Sequence, residues 1–94
     1  MGWFSVDKTK STENDPQLLH EKAFELLQHN PNVPQKEMEA FELMKTSALQ
    51  NFAPAQSHLA YLYQTGLGTP QNYTEALKWY RLAAEQGDPY AQFN

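Results

Sequence analysis

Three histidines are the first side chains in this sequence that could bind a metal ion or transfer a proton near neutral pH. His29 follows His20 by nine positions, a spacing that does not place both on one face of a helix. His58 has no carboxylate three or four positions away on either side. We therefore interpret all three as surface or partly packed residues, and we predict no metal site.

Two further patterns could carry chemistry. Glu37, Glu39 and Glu42 lie at the start of an expected helix, where negative charge favours the helix dipole. A catalytic carboxylate pair is the alternative. Gly66-Leu-Gly68 lacks the third glycine and the preceding strand of a nucleotide-binding loop, so it is interpreted as a helix-ending turn. We predict that the chain is not an enzyme and uses no cofactor.

The elements that would position these residues form an internal repeat. Ala55-Gln56 recurs as Ala91-Gln92, 36 positions later. The same offset superposes eight identical pairs, with first members Leu26, Gln28, Pro34, Gln35, Glu39, Ala40, Ala48 and Gln50. These identities fall at apolar and turn positions, which indicates a repeating structural unit rather than chance.

The repeating unit is a helix–turn–helix. In the second copy Pro54 suits the first turn of a helix, and Gly66 suits its left-handed end. Asn72 is the expected N-cap of the next helix, with Glu75 three positions later. That helix is expected to bury Ala76, Leu77, Tyr80, Ala83 and Ala84. In the first copy Asn30 and Asn32 replace the two glycines, and asparagine tolerates positive φ best among the other residues.

The second copy resembles a SEL-one-like repeat, a tetratricopeptide-like helical repeat. Three stretches match the family pattern in order. Tyr63 to Gly68 match Y-x-x-G-x-G, Pro70 matches the proline that follows, and Glu75 to Gly87 match K-A-x-x-W-Y-x-x-A-A-E-x-G. A tetratricopeptide repeat of period about 34 is the nearest alternative. The resemblance implies a scaffold that holds partner proteins. Some relatives are linked to hydrolase activity, so a regulatory or hydrolase-associated repeat domain of a larger enzyme is the alternative function.

The predicted fold class is all-α, an α/α solenoid of antiparallel helix hairpins with about two repeats and the start of a third. Residues 1–14 are expected to be a flexible segment, and residues 15–51 a degenerate first repeat. The second repeat is expected over 52–87, and a truncated third over 88–94. The open C-terminal end, with Tyr90, Ala91 and Phe93, indicates either a fragment of a longer array or self-association with another copy.

A binding surface is expected where the first helices of the two copies lie side by side and form a concave face. Its members lie off the apolar stripe and align at the same offset: Glu21, Glu25, Gln28, Ser57, Tyr61 and Gln64. Glu21 and Glu25 are like charges one helical turn apart, a mildly unfavourable arrangement that suits a basic partner peptide. An ordinary solvated face is the alternative.

Composition limits the partners. The chain has 11 acidic and 7 basic residues and a formal net charge of −4, which argues against nucleic acid. It has no cysteine, so thiolate zinc sites and disulfides are excluded. Neither a signal peptide nor an apolar run of about 18 residues is evident. We expect a cytoplasmic protein that binds no membrane.

Overall fold

The computed structural model describes residues 14–89 and residue 91, and over this range the chain forms helices joined by short turns. Helix α1 spans Pro16–His29, α2 spans Pro34–Ala48, α3 spans Ala53–Thr65 and α4 spans Tyr73–Glu85. Each helix packs against the next in the chain, and α1 also touches α3. The all-α solenoid of helix hairpins is therefore confirmed. The segment expected to be flexible lies, except for Asn14, outside the described residues, as do Tyr90 and Phe93.

The predicted caps are present at the helix ends. Asp15 Oδ1 accepts a hydrogen bond from the Gln17 amide at 2.9 Å, and Asn72 Oδ1 accepts one from the Glu75 amide at 3.1 Å. Each bond satisfies an amide that has no partner within its helix. At the end of α3, Gly66 has φ 74° and donates its amide to the Leu62 carbonyl, as expected for a left-handed cap.

Small residues form much of the contact surface between helices. Seven alanines on the four helices are at most 4% exposed: Ala23, Ala40, Ala48, Ala55, Ala60, Ala76 and Ala83. Larger side chains fill the spaces between them, chiefly Phe41, Met44, Leu59 and Leu62. Because alanine adds little bulk, the helix axes can approach closely at these points. The core is consequently a thin layer between neighbouring helices.

One predicted core position on α4 is wrong. Leu77, which was expected on the buried side, is 62% exposed, whereas Trp79 is only 8% exposed and belongs to the core. The apolar side of α4 is thus turned toward Trp79, whose large ring covers more of the neighbouring helix than Leu77 could. Met38 on α2 and Phe24 on α1 are also exposed, by 58% and 43%.

The two asparagines that replace glycines do not behave alike. Asn32 has φ 64° and takes the left-handed conformation expected from its alignment with Gly68. Asn30 has φ −132°, so the expectation fails there. Its side chain instead donates to the Leu26 carbonyl at 3.1 Å, which caps the end of α1 without a left-handed residue. Asn51 has φ 67° and occupies the position of Gly87 in the next repeat.

Side-chain amide groups connect the two repeats. Gln56 is 3% exposed, and its Nε2 donates to the Ala48 carbonyl at 3.3 Å. Its Oε1 accepts from Gln86 Nε2 at 2.9 Å, and Gln86 Nε2 also reaches Asn51 Oδ1 at 3.2 Å. Among the described residues, no buried side-chain nitrogen or oxygen lacks a hydrogen-bond partner. This network joins the ends of α2 and α4 through α3, which fixes the position of one repeat against the other.

The turn between α3 and α4 yields a prediction about Gly68. This residue has φ 76°, and a Cβ added to it would overlap the carbonyl group of Glu37 and press on Phe41. Gly87 has φ 88°, but a Cβ there would meet nothing within 4 Å. Gly87→Ala should lower the free energy of unfolding by about 1–2 kcal/mol through left-handed strain alone. Gly68→Ala should lower it by about 3 kcal/mol or more, because steric overlap is added to the strain.

Urea unfolding followed by circular dichroism measures both values. Equal losses for the two variants would show that Gly68 is required only for its dihedral angles and not for close packing against α2.

Candidate functional site

Helices α1 and α3 lie side by side and enclose a groove between them, called here the α1–α3 groove. It contains two adjoining cavities that share Phe24, Gln28 and His58. The larger has a volume of about 380 Å³ and is bordered by His20, Glu21 and Glu25. The smaller, of about 270 Å³, is lined mainly by apolar side chains, including Tyr61. Four of the six predicted binding residues therefore border one continuous depression: Glu21, Glu25, Gln28 and Tyr61.

Two histidines join the helices at one end of the groove. His20 Nε2 lies 2.6 Å from His58 Nδ1, and the ring centroids are 4.7 Å apart. The edge of Phe52 lies against His20, with a centroid distance of 5.7 Å, and Phe24 lies 5.8 Å from His58. A hydrogen bond between two imidazoles needs one of the facing nitrogens to carry no proton. The geometry therefore requires that the pair is not doubly protonated.

The surroundings of this pair favour its neutral form. Burial lowers the pKa of His20, and the neighbouring His58 lowers it further, although Glu21 acts in the opposite direction. Burial also lowers the pKa of His58, against opposing effects from the Pro54 carbonyl and Asp88. Both changes follow from removing a cation from water. Within the described residues no group of three or more potential ligands is arranged to hold a metal ion.

The carboxylates of the groove have few protein partners. Glu21 accepts a hydrogen bond from Gln17 Nε2 at 3.4 Å, near the limit of such contacts. Glu25 also borders another cavity, together with Lys22. The ion pairs found in the described part of the chain, Lys36–Glu39 and Lys78–Glu75, involve neither Glu21 nor Glu25. Negative charge at this edge of the groove is therefore left to solvent or to a ligand.

Two of the predicted binding residues lie elsewhere. Ser57 is 3% exposed, and its Oγ donates to the Pro54 carbonyl at 3.1 Å, so it does not present its side chain to a partner. A serine hydroxyl can bond to a carbonyl in the preceding turn of its helix, which allows it to be buried. Gln64 is exposed but belongs to a different depression, between α3 and α4, where its Oε1 accepts from the Tyr80 hydroxyl at 2.9 Å.

The histidine pair and the apolar cavity were not found by sequence reasoning. His20 and His58 are 38 positions apart, two more than the repeat, so aligning the copies does not superpose them. The geometry of stacked repeats could have predicted the pair. The first helices of adjacent repeats lie side by side, so side chains within one helical turn of equivalent positions can meet. Phe24 is 43% exposed, which makes it part of the groove rather than of the core.

Comparison with known proteins identifies the repeat. The model of the Sel1 repeat matches residues 29–52 and 53–88, which is more than half of the chain. The chain belongs to the Sel1 repeat family. The resemblance to SEL-one-like repeats is thus confirmed, and proteins of this family generally mediate protein–protein interactions. The repeat limits expected from the sequence, 15–51 and 52–87, stay predictions.

Similar proteins are longer than this chain. The chain is 39% identical over 56 residues to the chitin synthase regulator SKT5 of Malassezia restricta, covering 60% of this chain and 4% of that protein. A sel1-like repeat-containing protein of Acanthamoeba polyphaga mimivirus is 40% identical over 40 residues, which are 43% of this chain and 8% of the relative. The chain thus spans less than a tenth of either relative.

Two solved structures share the fold. A Sel1 repeat protein from Oxalobacter formigenes superposes with a TM-score of 0.76 at 33% identity, covering 84% of this chain and 32% of that one. The protective antigen c5321 of uropathogenic Escherichia coli also gives a TM-score of 0.76, at 31% identity, covering 90% of this chain and 18% of the other. Among the described residues, no helix is both long and apolar enough to cross a membrane.

The histidine pair yields a prediction about pH. Both folded-state pKa values lie below the ordinary value of 6.5, so the unfolded chain binds protons more readily. The neutral histidine pair therefore makes its full contribution to stability above pH 6.5. This contribution is lost as the pH falls through the lower pKa values of the folded state. We expect the free energy of unfolding to fall between pH 7.5 and pH 5 by less in His20→Gln/His58→Gln than in the parent.

The control is His29→Gln, because His29 is exposed on α1 and lies outside the pair. Its loss of stability on acidification should equal that of the parent. If the double variant also loses as much as the parent, the pair contributes nothing to the pH dependence.

Proposed function

We propose that this chain is a non-catalytic protein-interaction scaffold whose α1–α3 groove receives a basic segment of a partner protein. The observation that carries the proposal is the groove itself, where two cavities adjoin and Glu21 and Glu25 border one of them. The helices that form it are held rigidly by a packed core, so the surface is preformed. Family membership supports interaction as the role but names no partner for this chain.

Charge supports the choice of a basic partner. Glu21 and Glu25 face each other across one helical turn, and a cation between them would relieve their repulsion. The chain as a whole carries a formal charge of −4, which would speed the approach of a basic segment and repel nucleic acid. Since these charges are exposed, salt should weaken binding.

The ionisable side chains of the groove suit a binding role. The histidine pair is engaged in its own hydrogen bond and is kept neutral by burial, and the carboxylates are exposed. Glu37, Glu39 and Glu42 lie on α2, and Glu39 pairs with Lys36 at 3.8 Å. A catalytic carboxylate pair there has no supporting contact. The expected cytoplasmic location stays a prediction.

A regulatory role within a larger protein is the second candidate. It is favoured by the similarity to a chitin synthase regulator, of which the chain covers a small part. In such a protein the groove would hold a segment of the regulated protein or of the same polypeptide. Both candidates require the same surface, and the nature of the captured partner distinguishes a regulator from a free adaptor.

The proposal predicts that changing the groove removes a partner. The chain is immobilised, exposed to cell lysate, and compared with Glu21→Lys/Glu25→Lys/Tyr61→Ala after both are shown to be equally helical. We expect a protein that the parent retains and the variant loses, because charge reversal repels a basic segment and the alanine removes an exposed contact.

The charge-matched control is Glu42→Lys/Glu85→Lys/Tyr73→Ala, which changes three exposed residues away from the groove. This control should retain the partner that the parent chain retains. For both proteins, the amount of partner retained should decrease as the salt concentration is raised. If the groove variant and the control retain the same proteins from the lysate, the binding surface lies elsewhere.

Self-association through the C-terminal end stays a separate prediction. Asp88 Oδ2 accepts a hydrogen bond from the Ala91 amide at 3.0 Å, as a residue that caps a helical turn does. Self-association would cover an apolar side of this segment with a second copy of the chain. Light scattering over a concentration series should therefore show a growing mass. A constant monomer mass at high concentration would contradict it.

A further inference from the structure

The smaller cavity of the α1–α3 groove is lined mainly by apolar side chains. Its walls come from three helices and the turn after α3, and they are Phe24, Leu27, Gln28, Met44, His58, Tyr61, Leu62 and Leu67. Phe24 and Tyr61 remain 43% and 42% exposed although they border it. Exposed aromatic side chains around a depression are characteristic of sites that bind other molecules.

The size of this cavity limits what can enter. At about 270 Å³ it lies just below the range of about 300–1,000 Å³ that holds drug-sized ligands. It also opens directly into the larger cavity along Phe24, Gln28 and His58. A site of this volume and shape suits one large apolar side chain that enters from a chain lying in the groove.

The neighbouring carboxylates determine what must accompany that side chain. An apolar group that covers the small cavity also removes water from the adjoining edge, where Glu21 and Glu25 lie. Burying a carboxylate without a partner costs free energy, whereas a cation placed beside it offsets that cost. An apolar ligand without positive charge would therefore bind poorly, and a basic ligand without an apolar group would leave the cavity unfilled.

We infer that the α1–α3 groove recognises an extended peptide segment in which a phenylalanine, leucine or methionine lies two positions from a lysine or arginine, so that both side chains project to the same side. The apolar side chain occupies the cavity between Phe24 and Tyr61, and the cation lies between Glu21 and Glu25. This inference rests on the proposed scaffold function and specifies its partner. The two elements must be close in the peptide because the two cavities share a wall and one extended residue spans only about 3.3 Å.

Synthetic peptides test this pairing directly. Three nine-residue peptides of glycine and serine carry Phe-Ser-Lys, Ala-Ser-Lys or Phe-Ser-Glu at the centre, named below Phe-Lys, Ala-Lys and Phe-Glu, and are titrated into the isotope-labelled 94-residue chain. We expect the Phe-Lys peptide to shift the amide resonances of Gln28, Tyr61 and Leu67 in a saturable manner. It should bind about tenfold or more tightly than the Ala-Lys peptide, which lacks the ring to be buried, and than the Phe-Glu peptide, whose carboxylate Glu21 and Glu25 repel.

Variants locate the site. Gln28 is exposed and borders both cavities, so Gln28→Trp should fill their common entrance and abolish the preference for Phe-Lys over Ala-Lys. Gln35→Trp, at the exposed start of α2, is the matched control and should keep that preference. Glu25→Gln should reduce the preference for Phe-Lys over Phe-Glu several-fold, and Glu85→Gln on α4 should not.

The outcomes separate this inference from the scaffold function. Equal binding of all three peptides, absence of saturable shifts with any of them, or shifts confined to other surfaces would overturn the pairing. The lysate experiment does not depend on it, because a partner could be retained through the groove by other contacts. Loss of the partner in the groove variant together with equal peptide binding would leave the scaffold function standing and the inference wrong.

Discussion

Close packing of helices at alanine is the constraint on which the rest of this structure depends. Seven alanines of α1 to α4 are almost completely buried, and larger residues at these points would separate the helices. Gly68 extends the same requirement to a turn, since its backbone lies against that of Glu37 and leaves no room for a side chain. The thin core then allows Gln56 to reach Ala48 and Gln86 at once, which connects consecutive repeats by hydrogen bonds.

This packing brings the first helices of the two repeats into contact and creates the groove. Once α1 and α3 lie side by side, His20 and His58 meet at hydrogen-bond distance, although each lies on a different repeat. Their contact is compatible with neutral rings, so the same burial that joins the helices also removes positive charge from the groove. The negative charge of Glu21 and Glu25 is then available to a ligand.

Much of the architecture could be predicted because the sequence repeats itself. Turn and cap residues such as Asp15, Gly66 and Asn72 act locally, so their roles depend only on a few neighbours and were identified correctly. Rotation of a helix about its axis is harder to predict, because it depends on which side chain fills the available space. For this reason Trp79 rather than Leu77 is buried, and Ser57 is buried although Tyr61, four positions later, is exposed. The histidine pair was missed because it depends on the displacement between helices.

The exposed aromatic residues of the groove follow from the solenoid itself. In a globular domain Phe24 and Tyr61 would be covered by another element across the core, but each solenoid repeat contacts only its neighbours along the stack. Nothing in the described part of the chain lies opposite α1 and α3, so side chains that project there stay partly in water. Replacing them with polar residues would not disturb the alanine contacts that hold the helices together. An apolar groove beside Glu21 and Glu25 is therefore not required by the fold, and a ligand that covers it gives these residues a function.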